Sequence, residues 1–139
     1  MGKINLQRVV LGGLLAGVVL NVVDFLVYGV VLEDDLAAAM QALGKGPVDS
    51  LIPLFVVLDF LYGIALVYLY AAIRPRFGPG PRTAVYAGLI MWVLIALLHA
   101  IGEAPMGLMP QRMFVIGTLV ALVLFPVAAV VGAKIYTET

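Results

Sequence analysis

The stretch VVLGGLLAGVVLNVVDFLVYGVV, residues 9–31, decides the fold, and Asp24 is its only charged residue. An α-helix of this length is about 35 Å long, because each residue adds about 1.5 Å. The hydrocarbon core of a bilayer is about 30 Å thick, so the segment is long enough to cross it with a modest tilt. Residues 9–31 are therefore predicted to form a transmembrane helix.

Three further apolar stretches of membrane-spanning length follow, at about residues 51–73, 83–101 and 113–133. The four spans predict a single transmembrane domain that covers residues 1–139. Because their number is even and their connections are short, they favour an antiparallel, up-down-up-down bundle. The predicted fold class is all-α, a polytopic membrane protein built as a four-transmembrane-helix bundle.

The composition of the chain excludes several classes of protein. Hydrophobic residues make up 64% of the 139 residues and charged residues 12%, with 8 basic and 8 acidic side chains. Soluble domains carry about 25% charged residues, and nucleic-acid-binding proteins show a basic excess. The chain also has no cysteine and one histidine, which removes thiolate metal sites, iron–sulfur clusters and a bis-histidine haem within one chain. No cofactor is required by the sequence.

The distribution of positive charge predicts the orientation in the membrane. Six basic residues lie in the N-terminal flank, the segment 74–82 and the C-terminal tail, whereas Lys45 and Arg112 alone lie on the other side. Under the positive-inside rule, both termini are cytoplasmic and the first and third loops are outside. We expect the protein in a bacterial inner membrane, with RPRFGPGPR, residues 74–82, as a turn broken by proline and glycine.

The first outer loop is predicted to contain a short helix on the membrane surface. An acidic run at residues 33–35 precedes LAAAMQAL, residues 36–43, and Gly44 follows. Acidic residues favour a helix N-terminus, and glycine is a common stop. Three apolar residues share one face of this helix, which suits an interfacial position: Leu36, Met40 and Leu43.

Small residues recur on one face of the first and fourth spans. Gly13 and Gly17 share a helical face with Asn21, Asp24 and Tyr28, since successive residues turn by about 100°. Helices in membranes pack closely through such small residues. The predicted helix-packing residues are Gly13, Gly17, Gly117, Ala121, Ala128 and Gly132.

The polar side chains of the spans are predicted to form one cluster in the outer half of the bundle. Asp24 lies about 10 Å and Asp59 about 12 Å from the outer end of its span, which is a matching depth. His99 lies near the outer end of the third span, and Glu103 follows just beyond it. The candidate proton- or cation-binding residues are Asn21, Asp24, Tyr28, Asp59, Tyr62, His99 and Glu103.

Three interpretations of this cluster are open. An aspartate near the membrane centre costs about 3 kcal/mol, and two facing carboxylates do not both ionise without a cation. The carboxylates can therefore bind and release a proton or a small cation during transport. Alternatively, His99 and the acids ligate a metal. In the third interpretation, protonated aspartates and tyrosine hydroxyls only tie the helices together by hydrogen bonds.

Soft donors keep a metal site open as well. Thioethers with one imidazole can hold Cu(I), and methionines crowd the third loop close to His99. The Glu-x-x-His pairs of di-iron bundles are absent, and methionine also serves as flexible filler in irregular turns. The metal is unknown, and its candidate ligands are Met106, Met109 and His99.

The run YGVVL, residues 28–32, with the acidic turn and residues 36–44, resembles the first helix and loop of small uncharacterised bacterial four-helix integral membrane proteins. The resemblance covers about a third of the chain. It implies the four-span architecture. Those proteins carry no agreed activity, so it transfers no functional residue.

Two classes of function agree with these features. A transport protein would use Asp24 and Asp59 as proton or cation sites, as a homo-oligomer because four helices enclose little room for a path. A non-catalytic accessory or assembly subunit would instead dock on a larger membrane complex. An enzyme with the carboxylates and His99 as acid and base has less support, because the chain has no nucleophile constellation. The expected partners are membrane lipids and protein chains, not nucleic acid.

Overall fold

The structure, a computed structural model, describes residues 2–139, and all the regular elements in that range are helical. In chain order they are α1 (Leu6–Leu26), a π-helical turn (Val27–Val31), α2 (Glu33–Ala42), a 3-10 turn (Val48–Leu51), α3 (Ile52–Phe77), α4 (Pro81–Met91), a second π-helical turn (Trp92–Leu97), α5 (Leu98–Glu103), a 3-10 turn (Ala104–Met106) and α6 (Gln111–Ala133).

Four continuous helical segments are long and apolar enough to cross a membrane, which confirms the all-α class and the four candidate spans. We call them the first span (Leu6–Val31), the second span (Val48–Phe77), the third span (Pro81–Met106) and the fourth span (Gln111–Ala133). Six of the eight boundaries lie two to five residues beyond the predicted ones, and the other two, at Val31 and Ala133, coincide with them. Hydropathy ends with the hydrocarbon core, whereas the backbone hydrogen bonds of a helix continue into the polar flanks.

The turn after the second span is much shorter than predicted. The segment 74–82 was expected to be a turn throughout, and this is wrong, because α3 continues through Pro75 to Phe77. A proline in the last helical turn removes one backbone hydrogen bond without ending the helix. The helix stops at Gly78, whose φ of 85° favours glycine and whose amide donates to the Arg74 carbonyl oxygen over 2.8 Å.

A helix does form in the first loop. α2 begins at Glu33, so the acidic run is its first turn, where negative charge meets the positive end of the helix dipole. It ends before Gly44, which has a φ of 67°, and the Lys45 amide then donates to the Met40 carbonyl oxygen over 2.9 Å. Ala39 is the buried residue of α2. Its position relative to the membrane surface stays a prediction.

Glycine brings the first two spans into backbone contact. A Cβ atom on Gly13 would meet the backbone of Ile64, and one on Gly17 would lie 2.8 Å from Cα of Phe60. From the other side, a Cβ atom on Gly63 would lie 2.6 Å from the amide nitrogen of Gly17. No larger residue fits at these three positions without moving the helices apart, as expected of small-residue packing in membranes.

The fourth span uses its small residues in two different ways. Gly132 packs on the carbonyl group of Gly12, and Ala128 is fully buried. Gly117 and Ala121, about two to four turns earlier, line a cavity, and a Cβ atom on Gly117 would meet only the Tyr28 side chain. The close packing of the fourth span is therefore confined to its C-terminal part.

Both chain ends meet at the same end of the bundle. The Thr139 amide donates to the Lys3 carbonyl oxygen (3.4 Å), and the Asn5 amide donates to Tyr136 Oη (3.4 Å). Arg74 Nη1 lies 3.4 Å from Glu138 Oε1, and its guanidinium group stands over the Tyr136 ring. These contacts bring the N-terminal segment, the end of α3 and the C-terminal tail together.

Candidate functional site

A cavity of about 290 Å³ lies between the four spans, at the end of the bundle away from the chain termini. All four spans contribute to its walls, and most of the lining side chains are apolar. Leu20, Leu124 and Phe125, which are buried, form its floor toward the packed core. The polar side chains in its lining are Asp24, Tyr28, Asp59, Tyr62, His99 and Thr118.

The cavity exists because the spans are loosely packed in this half. Between Trp92 and Val123 the chain has no buried residue, whereas α4 alone has five. Both π-helical turns lie here as well. The first contributes Val27 and Tyr28 to the lining of the cavity, and the second contributes Ile95 and Ala96. A π-helical turn widens the helix and changes the direction of the side chains after it, and such turns often mark functional sites.

Asp24 and Asp59 meet across the interface between α1 and α3. Their carboxyl groups are direct neighbours, and both line the cavity. The Asp59 side chain is buried, with 9% of the residue exposed, and Asp24 is half-buried. The glycine contacts of α1 with α3 hold the two helices close enough for these short side chains to reach each other.

The carboxyl pair has no basic counterpart. No lysine or arginine lines the cavity among the described residues, and the salt bridges found in that range join other groups. In residues 2–139, neither Asp24 nor Asp59 accepts a hydrogen bond from a backbone amide or from the side chain of another kind of residue. Adjacent carboxylates in an apolar enclosure repel each other, so the pair requires a proton or a cation between its oxygens.

Two of the seven predicted cluster residues lie outside the cavity lining. Asn21 donates from Nδ2 to the carbonyl oxygens of Gly17 (3.0 Å) and Val56 (3.3 Å), so its amide ties α1 to α3. Glu103 lies beyond the mouth of the cavity, where its Oε2 is 3.1 Å from His99 Nε2. The side chains of His99 and Glu103 are both more than half exposed. The remaining five line the cavity: Asp24, Tyr28, Asp59, Tyr62 and His99.

The candidate metal ligands are only partly brought together. Met109 and His99 line the cavity, as does Met113, but Met106 is 63% exposed and does not. Within residues 2–139, no three His, Cys, Asp or Glu side chains converge closely enough to hold a metal ion. The carboxyl pair therefore lacks the further hard ligands that a divalent cation takes in a closed protein site.

Several cavity residues escape a search for polar side chains in the spans. Phe114 and Phe125 supply aromatic lining, the second at the floor of the cavity. Tyr28 Oη lies so close to Gly117 that a Cβ atom on Gly117 would be 2.6 Å from it. Trp92 Nε1 donates to the carbonyl oxygen of Thr118 over 2.8 Å, which joins the third and fourth spans beside the cavity. Gly117, Ala121 and Phe125 share one helical face in the sequence, and this pattern was the signal that could have predicted their place in the lining.

Comparison of the chain with models of protein families, with curated proteins and with solved structures finds no match in any of the three. The resemblance to small bacterial four-helix membrane proteins stays a prediction. The cavity is therefore interpreted from its own chemistry.

Proposed function

We propose that this protein binds a proton or a small cation at Asp24 and Asp59 and transports it across the membrane. One observation carries the proposal: two neighbouring carboxyl groups line a cavity between membrane-spanning helices, and no lysine or arginine of the described chain lines it with them. Burying such a pair is costly, and a proton or cation removes most of that cost. A site that binds its ligand in this way can also release it, as transport requires.

The surroundings of the pair favour transport over a purely structural role. Structural aspartates in a membrane are hydrogen-bonded to hydroxyl groups in a dry core. Here neither Asp24 nor Asp59 has a hydrogen bond to Tyr28 or Tyr62. The two carboxyl groups have only each other as polar partners, and both line the open volume of the cavity. Asn21, by contrast, has the satisfied interhelical contacts of a residue that only holds helices together.

The proposal includes an antiparallel bundle with both termini in the cytoplasm of a bacterium, and with α2 on the outer surface of the inner membrane. The meeting of Asn5, Arg74 and Tyr136 at one end of the bundle supports a common side for the termini and the turn after the second span. The positive residues concentrate at that same end. The cavity then lies in the outer half.

The packed core closes the cavity toward the cytoplasm, so one copy with these contacts holds no continuous path. Leu20 and Phe125 at the floor are 1% and 7% exposed. We propose that transport uses a homo-oligomer or a rearrangement that opens this floor. An accessory subunit on a larger membrane complex is the alternative, and it would show no flux of its own.

Flux through the purified protein in liposomes tests the proposal. Under an imposed pH, Na⁺ or K⁺ gradient, with a dye for the ion concerned inside, we expect flux above that of empty liposomes. Asp24→Asn together with Asp59→Asn is expected to reduce it to the empty-liposome level, because the neutral amides cannot exchange a proton or hold a cation.

Asp49→Asn is the matched control, since the same change is made at an exposed acid just before α3. It is expected to leave flux unchanged. Size-exclusion elution and the helical circular dichroism signal show that each variant is folded. Unchanged flux in the folded double variant contradicts the proposal, as does the absence of flux from the unsubstituted protein under all three gradients.

A further inference from the structure

The size of the cavity bears on the kind of cation that it holds. A buried water needs about 10–15 Å³ of comparable volume, and small-molecule pockets begin at about 300 Å³. At about 290 Å³, the cavity is far larger than a single bare ion requires. It lies close to the lower bound for small-molecule pockets and therefore suits a small organic ligand.

The walls of the cavity are those of an organic ligand site. Aromatic rings from three spans surround the volume: Tyr28, Tyr62, Phe114 and Phe125. Such rings attract ammonium groups through their negative faces, and they bury apolar substituents at the same time. An inorganic cation would find two carboxyl groups and few other oxygens, because the rest of the lining is mostly aliphatic or aromatic.

Charge is placed at one side of this volume. The carboxyl pair lies between α1 and α3, whereas Phe114 and Phe125 belong to the fourth span. Asp59 is more than nine-tenths buried, lines the cavity, and has no basic partner among the described residues. A ligand with a positive head and an apolar body matches both the carboxyl pair and the aromatic rings.

We infer that the cavity binds an organic cation, a protonated or quaternary amine with a ring-sized apolar substituent. Its head lies at Asp24 and Asp59, and its body lies against Phe114 and Phe125. The inference rests on the proposed function, because it names the substrate class of the same site.

Binding of such a cation displaces the proton that the carboxyl pair otherwise holds, and that proton leaves to solvent. The other titratable groups that face the pair are Tyr28 of the first span, Tyr62 of the second and His99 of the third, and the fourth span contributes none to the lining. Protons and ligand compete, so we expect affinity to rise with pH.

Binding of benzyltrimethylammonium to the full-length protein in detergent tests the inference. Its permanent charge isolates the role of the carboxyl groups, and neopentylbenzene is its neutral isostere. Trp92 is the single tryptophan and is hydrogen-bonded to cavity residue Thr118, so its fluorescence reports occupancy. We expect saturable binding that is about tenfold or more weaker in the Asp24→Asn, Asp59→Asn double variant and unchanged in Asp49→Asn.

Two comparison ligands sharpen the result. Tetramethylammonium lacks the apolar body and is expected to bind about tenfold more weakly than benzyltrimethylammonium, since a ring-sized body adds buried apolar area. Neopentylbenzene is expected to cause no saturable change. Equal responses to neopentylbenzene, or equal binding by the double variant, would overturn the inference and indicate an apolar ligand such as an acyl chain.

The outcome for the ligand is separable from the outcome for transport. Carboxyl-dependent flux of H⁺, Na⁺ or K⁺ without any binding of benzyltrimethylammonium keeps the proposed function and rejects the organic cation. Carboxyl-dependent binding with no flux of H⁺, Na⁺, K⁺ or benzyltrimethylammonium through the liposomes keeps the ligand class and rejects transport.

Discussion

The two halves of this bundle are built from the same kinds of residue but are packed differently. In the half near the chain termini, glycines allow α1 to touch α3 and α6, and α4 and α6 bury alanines completely. In the half that carries Asp24 and Asp59, both π-helical turns occur and a cavity remains. Close packing stabilises the first half, and the second gives up packing to hold polar groups in an apolar enclosure.

The largest expected effect is at the packed half. Gly63→Val would place a side chain against the backbone of Gly13 and Gly17, which cannot move without separating α1 from α3. We expect a loss of about 3 kcal/mol or more and a fall in Tm of about 10 °C in detergent, measured by circular dichroism.

Gly102→Val is the matched control for this change. A Cβ atom at Gly102 meets nothing within 4 Å, so we expect its Tm to stay close to that of the unsubstituted protein. An equal fall in both variants would show that the contrast between the two halves is not one of packing.

A second change should stabilise the open half. Asp59→Asn removes the buried member of two adjacent carboxyl groups and keeps the shape of the side chain. Repulsion between the carboxylates grows as pH rises, so the unsubstituted protein loses stability with increasing pH and the variant loses less. We expect the variant to gain about 1–2 kcal/mol relative to the unsubstituted protein at pH 9, and less at pH 5.

Thermal unfolding in detergent at pH 5, 7 and 9 measures this gain. Asp49→Asn, at an exposed position, is expected to show no such pH-dependent difference. A gain that is the same at every pH would mean that the two carboxyl groups do not interact.

The smallest effect is expected at the contact between Tyr28, in the first π-helical turn, and Gly117 of the fourth span. Gly117→Ala would place a Cβ atom 2.6 Å from Tyr28 Oη and displace the tyrosine side chain. We expect a loss of about 1 kcal/mol, relieved in a Tyr28→Phe background because the colliding oxygen is gone. A double-mutant cycle on thermal or denaturant unfolding gives the coupling, and additive effects would contradict this contact.

Much of the fold is predictable from hydropathy, because segments that cross a membrane must be apolar. Long apolar runs are predictable as spans, since a charged residue in hydrocarbon costs several kcal/mol and is therefore rare there. The ends are less predictable, as the continuation of α3 from Arg74 through Pro75 to Phe77 illustrates. Outside hydrocarbon, helix ends depend on caps such as Gly78 and on neighbours such as Tyr136 and Glu138, which a local pattern does not contain.

The candidate site was likewise predictable only in part. Helical phase and depth place Asp24, Tyr28 and Asp59 near one another, and the structure has all three in one lining. Helical phase alone does not show which polar side chains bind a backbone carbonyl group rather than line the cavity, as Asn21 does at Val56. The π-helical turns have no clear sequence signature, and each alters the phase of the residues after it. Glu103 lies outside the lining for a different reason, because it is one helical turn beyond His99 and past the mouth of the cavity.

The contact between residues 3–5 and 136–139 constrains the order in which this bundle assembles. Tyr136 and Thr139 are synthesised long after their partners Asn5 and Lys3, because 131 positions separate Asn5 from Tyr136. The glycine interface of α1 with α3 needs only the first half of the chain, so it can assemble inside the membrane while the rest is still being translated. The bundle is closed at the terminal end only afterwards, and until then Arg74 has neither Glu138 nor Tyr136 to pair with.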